Sequence, residues 1–156
     1  MDKAITSVTL YSDGSSRGNP GPGGYGTILR FTDSEGTVHE REYSEGFKET
    51  TNNRMELLGV ITGLEKLLKP CHVHIISDSR YVVDAFEKHW IDSWQKNGWK
   101  NSGKKEVKNK ELWQRLIKAA EKHELTFTWV KGHNGHPENE RCDALATAAA
   151  DKAAKN

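Results

Sequence analysis

Three consecutive segments with the pattern of β-strands precede the first helical segment, and this order restricts the fold more than any other feature. Residues 5–13 alternate in polarity and are rich in β-branched side chains. After a turn dense in Gly and Pro at 18–24, residues 25–32 and 37–46 predict an antiparallel hairpin, joined by a turn at 33–36. Any later strand must therefore be added to an antiparallel flank.

Helices and strands alternate after the hairpin. Capping residues at 51–53 begin a predicted helix that stops before Pro70, with an apolar stripe formed by Leu57, Ile61, Leu64 and Leu68. The rest of the chain predicts a strand at 72–77, helices at 79–89, 90–99 and 109–122, a strand at 126–130, a loop at 132–136 and a helix that opens at Pro137. Strands separated by helices pair in parallel through right-handed crossovers, so we predict an α/β fold with a mixed sheet.

The composition is that of one globular domain, which we expect to span residues 1–156. Hydrophobic residues make up 35% of the chain and charged residues 29%, which argues against long disorder. No apolar run approaches the length of a membrane span, and the first residues lack the layout of a signal peptide. Two cysteines, Cys71 and Cys142, form neither a disulfide framework nor a CxxC pair. We therefore expect a cytoplasmic protein, and a monomer.

Charge is unevenly distributed, although the formal net charge is only +1. Between residues 95 and 110 a single acid, Glu106, stands among six lysines: Lys96, Lys100, Lys104, Lys105, Lys108 and Lys110. Carboxylates must then be in excess elsewhere. A basic patch beside an acidic centre is what an enzyme that holds both phosphates and metal ions requires.

Two aspartates follow predicted strands that could be parallel neighbours. Asp13 ends the first strand and Asp78 ends the fourth, so both would emerge at the sheet edge where α/β proteins bind ligands. Glu56 lies early in the first helix, and Asp143 lies among apolar neighbours in the second turn of the last helix. A carboxylate in such surroundings is costly unless it is paired or coordinates a metal. Four carboxylates could hold two Mg²⁺ ions about 3.5–4 Å apart.

Each carboxylate taken singly also has an ordinary structural explanation. Asp13 could belong to a turn with Gly14, Asp78 could cap the helix that begins at Ser79, and Glu56 could interact with a helix dipole. Spacing alone does not show that the four side chains converge.

Five sequence blocks occur in one order between Thr9 and Ala150: SDGSSRGNPGPGGYG at 12–26, TTNNRMEL at 50–57, SDSRYV at 77–82, VKNKELWQRL at 107–116 and WVKGHNGHPENERCDALA at 129–146. Together they resemble ribonuclease H type 1 in its compact bacterial form. The resemblance implies a five-stranded mixed sheet covered by helices. It also implies an endonuclease that hydrolyses the RNA strand of RNA–DNA hybrids with two Mg²⁺ ions (Mn²⁺ as a substitute), leaving 5′-phosphate and 3′-hydroxyl ends. The implied metal ligands are Asp13, Glu56, Asp78 and Asp143.

His133 matches the mobile-loop histidine of that family. It lies beside Gly132 in a glycine-rich loop, and a free imidazole titrates near pH 6.5, so it suits proton transfer. His136 is the alternative, and we expect it to have a structural role before Pro137. A zinc site at this pair is disfavoured because no cysteine is suitably placed.

Recognition of RNA requires contact with 2′-hydroxyls across a wide minor groove. Asn19, Asn52 and Asn53 suit that contact, and we expect Asn52 or Asn53 to cap the first helix as well. Arg54 is a candidate for a phosphate of the DNA strand. By resemblance, residues 90–110 form a basic protrusion that grips the DNA strand, through Trp94, Lys96, Trp99, Lys100, Lys104, Lys105 and Lys108. For Trp94 the alternative is packing of its own helix.

The sequence departs from the family pattern in two places. Arg80, still a candidate substrate contact, stands where many bacterial relatives have glutamine, and Gln95, Asn97 and Glu106 dilute the lysine cluster. We therefore expect a lower affinity for the hybrid. The main alternative function is a non-catalytic hybrid-binding module on the same fold, which loss of metal ligands would mark. Another two-metal nuclease would lack the lysine-rich segment, and a structural domain would lack the matched blocks.

Overall fold

The computed structural model describes residues 6–101, 103–131 and 136–155. Its strands are β1 (Thr6–Ser16), β2 (Gly21–Thr32), β3 (Val38–Thr50), β4 (Cys71–Ser77) and β5 (Glu124–Trp129). Its helices are α1 (Asn52–Lys66), α2 (Arg80–Glu87), α3 (Trp90–Lys96), α4 (Lys110–Ala120) and α5 (Pro137–Lys155). Within these ranges, no helix combines the length and apolar character needed to cross a membrane.

The five strands form one mixed sheet in the order β3-β2-β1-β4-β5. The β1, β2 and β3 strands pair antiparallel, whereas β4 pairs parallel with both β1 and β5. The predicted mixed sheet is therefore confirmed. The parallel pairing of β1 with β4 ends at Ser12 and Ser77, which stand opposite each other. The next residue on each strand is an aspartate.

The main core lies between α1 and one face of the sheet. Leu57, Ile61 and Leu64 of the predicted stripe are fully buried, together with Leu10 on β1 and Ile75 on β4. Burial of such side chains contributes about 1.5–3 kcal/mol each. Helix α4 closes this core with a fully buried Trp113.

Helix α5 covers the other face through small side chains. Its Cys142 packs with Tyr11 and Ile28 in a second, smaller core. At Gly26 on β2 a Cβ atom would collide with the Cys142 carbonyl, so glycine is required for this close approach. Because Gly26 stands opposite Asp13 in the sheet, the same contact brings the second turn of α5 up to that aspartate.

Three of the predicted boundaries are wrong. The segment at 18–24 is a turn only in its first half, since β1 continues to Ser16 and β2 already begins at Gly21. The strands extend because β1 keeps pairing with β2 beyond the point where β4 ends. Leu68 does not belong to the apolar stripe: α1 ends at Lys66, and Leu68 is 85% exposed. Helix α3 is also shorter than predicted: the sequence predicts a helix over 90–99, and α3 ends at Lys96.

Candidate active site

Asp13 and Asp78 lie side by side at one end of the sheet. Each immediately follows the last residue pair of the parallel β1–β4 ladder, so both stand at the same level, although β1 continues past Asp13 to Ser16. Asp13 is 5% exposed, and Asp78 is half-buried. The arrangement follows from strand direction, because parallel neighbours carry their carboxyl ends to the same edge.

Glu56 reaches the same point from α1, across a contact that only glycine permits. A Cβ at Gly14 would lie 2.5 Å from the Glu56 backbone nitrogen, so β1 and α1 touch through bare backbone here. The Gly14 N–H donates to Glu56 Oε1 at 3.0 Å and to Asp13 Oδ1 at 2.9 Å. Carboxylate oxygens of Asp13, Glu56 and Asp78 all lie within 4.8 Å of one another.

Asp143 approaches from α5. Its half-buried side chain lines the same open cavity of about 490 Å³ as the other three carboxylates, and it contributes a hydrogen bond and a negative charge at Asp13. It lies outside the tight group that the other three form. The four residues therefore converge on one cavity from two strands and two helices.

The electrostatics of this cluster are unfavourable without a cation. Burial, followed by the negative charges of Asp78 and Asp143, raises the pKa of Asp13 to about 8. Burial, followed by the charges of Asp13 and Asp78, also raises the pKa of Glu56 well above its usual value. Like charges this close and this buried repel unless protons or a cation neutralise them.

The donor set fits a hard divalent cation. All the converging atoms are carboxylate oxygens, which Mg²⁺ and Mn²⁺ prefer. Glu56 Oε2 is buried and has no hydrogen-bond partner among the described residues, although its companion Oε1 accepts from Gly14. A buried carboxylate oxygen without a partner is costly, and a metal ion would satisfy it. We conclude that the site suits a divalent metal.

Helix capping explains neither Asp78 nor the two asparagines Asn52 and Asn53. Ser79 is the N-cap of α2 and accepts from the Val82 N–H at 3.3 Å, so Asp78 is not needed there. The expectation that Asn52 or Asn53 caps α1 is wrong. Thr51 is the N-cap, since its side chain accepts from the Arg54 N–H at 3.3 Å.

Four of the predicted substrate contacts lie at or near the cavity. Asn52, Asn53 and Arg80 line it, and Asn19 holds the start of α1 by accepting from the Asn52 N–H at 3.0 Å. Arg54 faces away from the carboxylates: it donates to Asn109 Oδ1 at 3.2 Å and forms an ion pair with Glu111.

The basic protrusion, residues 90–110, presents its charge to solvent. The predicted lysine contacts are all exposed: Lys96, Lys100, Lys104, Lys105 and Lys108. Trp94 and Trp99 are only partly exposed, with ring centres 6.2 Å apart, and Trp94 also packs on Trp113 at 5.2 Å. Both tryptophans thus anchor the protrusion to the core, and Trp99 does so with a left-handed backbone, φ 64°.

His133 lies outside the described residues. His136 is partly buried; its ring centre is 6.1 Å from that of Tyr11, and its carbonyl accepts from the Glu140 N–H at 3.0 Å. These contacts tie the start of α5 to β1.

Two residues near the carboxylates were not singled out in the sequence. Tyr81 lines the cavity, and its hydroxyl accepts from Asn109 Nδ2 at 3.2 Å and from Trp113 Nε1 at 3.1 Å. Trp129, the last residue of β5, donates from its indole Nε1 to the Asp78 carbonyl at 3.0 Å. Aromatic residues in a strand or helix normally predict core packing, so no local signal distinguishes these two.

A mixed α/β sheet with carboxylates converging at the carboxyl ends of its parallel strands defines a class: metal-dependent enzymes that act on phosphate esters. The comparisons with known proteins narrow that class. The family model described as RNase H matches residues 5–151. A ribonuclease H of Lachnoclostridium phytofermentans is 63% identical over 145 residues, covering 92% of each chain. A ribonuclease H of Desulforamulus reducens is 52% identical over 146 residues, covering 94% of this chain and 89% of its own.

Solved structures agree with the sequence relatives. The crystal structure of LC9-RNase H1, described as a type 1 RNase H with the type 2 active-site motif, is 33% identical. It superposes with a TM-score of 0.87 over 97% of this chain and 75% of its own. LC11-RNase H1 in complex with RNA/DNA hybrid is 27% identical, with a TM-score of 0.62 over 94% of this chain and 98% of its own. The chain belongs to the RNase H family, type 1, and is an endoribonuclease of that family, acting on the RNA strand of RNA–DNA hybrids.

Proposed function

We propose that this protein cuts the RNA strand internally by two-metal-ion hydrolysis with Mg²⁺, leaving 5′-phosphate and 3′-hydroxyl ends. One observation carries the proposal: oxygens of Asp13, Glu56 and Asp78 converge within 4.8 Å at an open cavity, and the Glu56 carboxylate also has a buried oxygen, Oε2, without a hydrogen-bond partner among the described residues. Mn²⁺, with the same preference for oxygen ligands, would substitute.

In this proposal four carboxylates, Asp13, Glu56, Asp78 and Asp143, hold the ions. When bound, two Mg²⁺ ions supply activation of the attacking water and stabilisation of the leaving oxygen. The protein orients the ligands, because the Gly14 N–H fixes one oxygen of Glu56 and one of Asp13. Asp143, on a separate helix and outside the tight group, would complete the set from the α5 side.

We assign proton transfer to His133. An imidazole with a pKa near 6.5 can both accept and release a proton around neutral pH. The contacts of His136 with Tyr11 and with the start of α5 support a structural role for that histidine and leave His133 as the candidate.

The hybrid would be gripped at two places. Near the cavity, the exposed amides of Asn19, Asn52 and Asn53 suit hydrogen bonds to the RNA minor groove, and Arg80 suits a phosphate or sugar. Arg54 would meet a phosphate of the DNA strand beside Asn109. Further away, the exposed lysines of the basic protrusion would supply sequence-independent contacts with phosphates. Trp94 and Trp99 would fix the base of the protrusion, and the ring edge of Trp99 would contact a sugar.

We further propose that residues 1–156 act as one domain and as a monomer in the cytoplasm. Two features support this. The cavity contains ligands from β1, β4, α1 and α5, so it is complete within one chain. The cysteines Cys71 and Cys142 are both buried and unpaired, as expected in a reducing compartment.

The test uses three labelled substrates, an RNA–DNA hybrid, duplex RNA and duplex DNA, each with Mg²⁺ and with chelator. We expect cleavage of the RNA strand of the hybrid alone, only with Mg²⁺, and products that a ligase or kinase assay identifies as 5′-phosphates. Tight hybrid binding without cleavage would instead indicate a non-catalytic module. Cleavage that survives chelation, or that extends to duplex DNA, would contradict the proposal.

A further inference from the structure

Two hydrogen bonds hold the end of β4 to the end of β5 at the carboxylate centre. Trp129 donates its indole N–H to the Asp78 carbonyl at 3.0 Å, and the next backbone N–H, of Val130, donates to the Ser77 carbonyl at 3.0 Å. The last carbonyl of β4 and the carbonyl that follows it are thus held by the end of β5 and the residue after it. The backbone bond belongs to the sheet, whereas the indole bond depends on this particular side chain.

The guanidinium group of Arg80 stacks on the ring face of Trp129. The guanidinium carbon of Arg80 lies 3.8 Å from the centre of the ring. Arg80 lines the carboxylate cavity, and its only other charge partner among the described residues is Asp84, one turn along α2 at 3.8 Å. A cation stacked this closely is held by the ring quadrupole, so the indole sets where the charge of Arg80 stands.

The placement of the Asp78 peptide depends on such contacts because Asp78 is only half-buried and follows the last residue of β4. Its peptide group has left the β1–β4 ladder, and the cap of α2 begins at Ser79. Without the indole bond the Asp78 carbonyl would lose the hydrogen bond that ties it to the end of β5. Metal ligands need placement within about 0.5 Å, and partners behind the ligands commonly change affinity by about 10–100-fold.

We propose that Trp129 is a positioning residue of this site, whose indole N–H fixes the Asp78 peptide and whose ring face fixes Arg80. The inference deepens the proposed function and rests on it. It assigns two separable tasks to one side chain: the N–H serves metal binding, and the ring serves the hybrid through Arg80.

Two substitutions separate the tasks. Trp129→Phe keeps a ring beneath Arg80 and deletes the donor, whereas Trp129→Leu removes both. Isothermal titration with Mg²⁺ alone should show a dissociation constant raised about threefold to tenfold in both variants, the effect of one lost hydrogen bond. The KM for hybrid should stay near the wild-type value in Trp129→Phe and rise severalfold in Trp129→Leu. Trp90→Phe, the same change at a tryptophan that is 38% exposed on α3, should leave Mg²⁺ affinity unchanged.

A readout on the wild-type protein avoids dependence on the variants' folding. The indole N–H resonance of Trp129, assigned in isotopically labelled wild-type protein, should shift as Mg²⁺ is added. An unmoved resonance, or wild-type Mg²⁺ affinity in Trp129→Phe, would overturn the inference. A wild-type protein that binds Mg²⁺ but does not cut hybrid would contradict the proposed function instead, so the two failures are distinguishable.

Discussion

Two carboxylates of the metal site, Asp13 and Glu56, are buried by the fold, whereas the lysines of the basic protrusion stand in solvent. Asp13 and Glu56 are each 5% exposed and share a backbone donor, Gly14. Lys100, Lys104 and Lys105 are exposed on a segment whose Trp94 and Trp99 pack against the main core. Buried charges interact strongly and specifically, while exposed charges are screened by salt and can replace one another. From this difference we expect the first region to cut and the second only to bind the hybrid.

The largest effect should come from Asp13→Asn. The amide offers one neutral oxygen where the site needs an anionic ligand, so we expect turnover to be abolished in the hybrid cleavage assay. The folded protein should survive. Because burial and like charges raise the pKa of Asp13, ionising it costs stability, and the metal-free variant should unfold at or above the wild-type temperature at pH 8. Residual turnover near the wild-type rate would remove Asp13 from the ligand set.

His133→Ala should slow single-turnover cleavage by about 10²-fold without abolishing it, since water can carry protons less efficiently. The matched control is His136→Ala. It should lower thermal stability through loss of the contact with Tyr11 but leave turnover nearer to wild type. The reverse order of effects on turnover would assign proton transfer to His136.

Mg²⁺ affinity should depend on pH because protons compete for the same carboxylates. With its pKa raised to about 8, Asp13 is protonated at neutral pH in the metal-free protein, and binding must release that proton. Affinity should therefore rise by up to about tenfold per pH unit below pH 8 and level off above it. Titration calorimetry from pH 6 to 9 measures this. A flat profile would mean that the centre is already ionised without metal.

A smaller effect is expected at the basic protrusion. Replacing Lys100, Lys104 and Lys105 with glutamine should weaken hybrid binding by roughly tenfold at low salt and reduce the slope of log K against log salt by up to about 0.9 per lysine. Fluorescence anisotropy across a salt series measures both quantities. The control triple Lys69, Lys152 and Lys155 to glutamine removes the same charge from exposed positions elsewhere. Equal slopes in the two triples would leave the protrusion without a special role.

The arrangement of strands, and the placing of Asp13 and Asp78 at the end of the β1–β4 pairing, could be predicted from sequence because both depend on local pattern. The expectation that Asp13 ends the first strand is wrong, since β1 continues to Ser16. Alternation and β-branching mark β1, and the parallel relation of β1 to β4 follows from the helix between them. Leu68 shows the limit of pattern: it continues the apolar stripe by spacing, yet α1 ends at Lys66 ahead of Pro70. Local periodicity says which face is apolar, and not where the core ends.

Contacts across the fold could not be predicted. Thr51 and not Asn52 caps α1, although both residue types are good caps, because the entering backbone decides which side chain reaches the Arg54 N–H. The approach of Asp143 to Asp13 depends on Gly26, which lies on the neighbouring strand β2 and is far from Asp143 in the sequence. The indole bond from Trp129 to Asp78 joins residues 51 positions apart. Such distances carry no local signal in a single sequence.

The division between cutting and gripping is tested most directly by measuring two quantities on the same two variants, Asp13→Asn and the protrusion triple. The first quantity is hybrid affinity in chelator, and the second is the single-turnover rate with Mg²⁺ at saturating hybrid. We predict that Asp13→Asn binds hybrid as tightly as wild type, because the substitution leaves the lysines of the protrusion in place, and does not cut it. The protrusion triple should bind weakly and cut at the wild-type rate once saturated. A triple that stays slow at saturation, or an Asp13→Asn protein that no longer binds, would contradict the division.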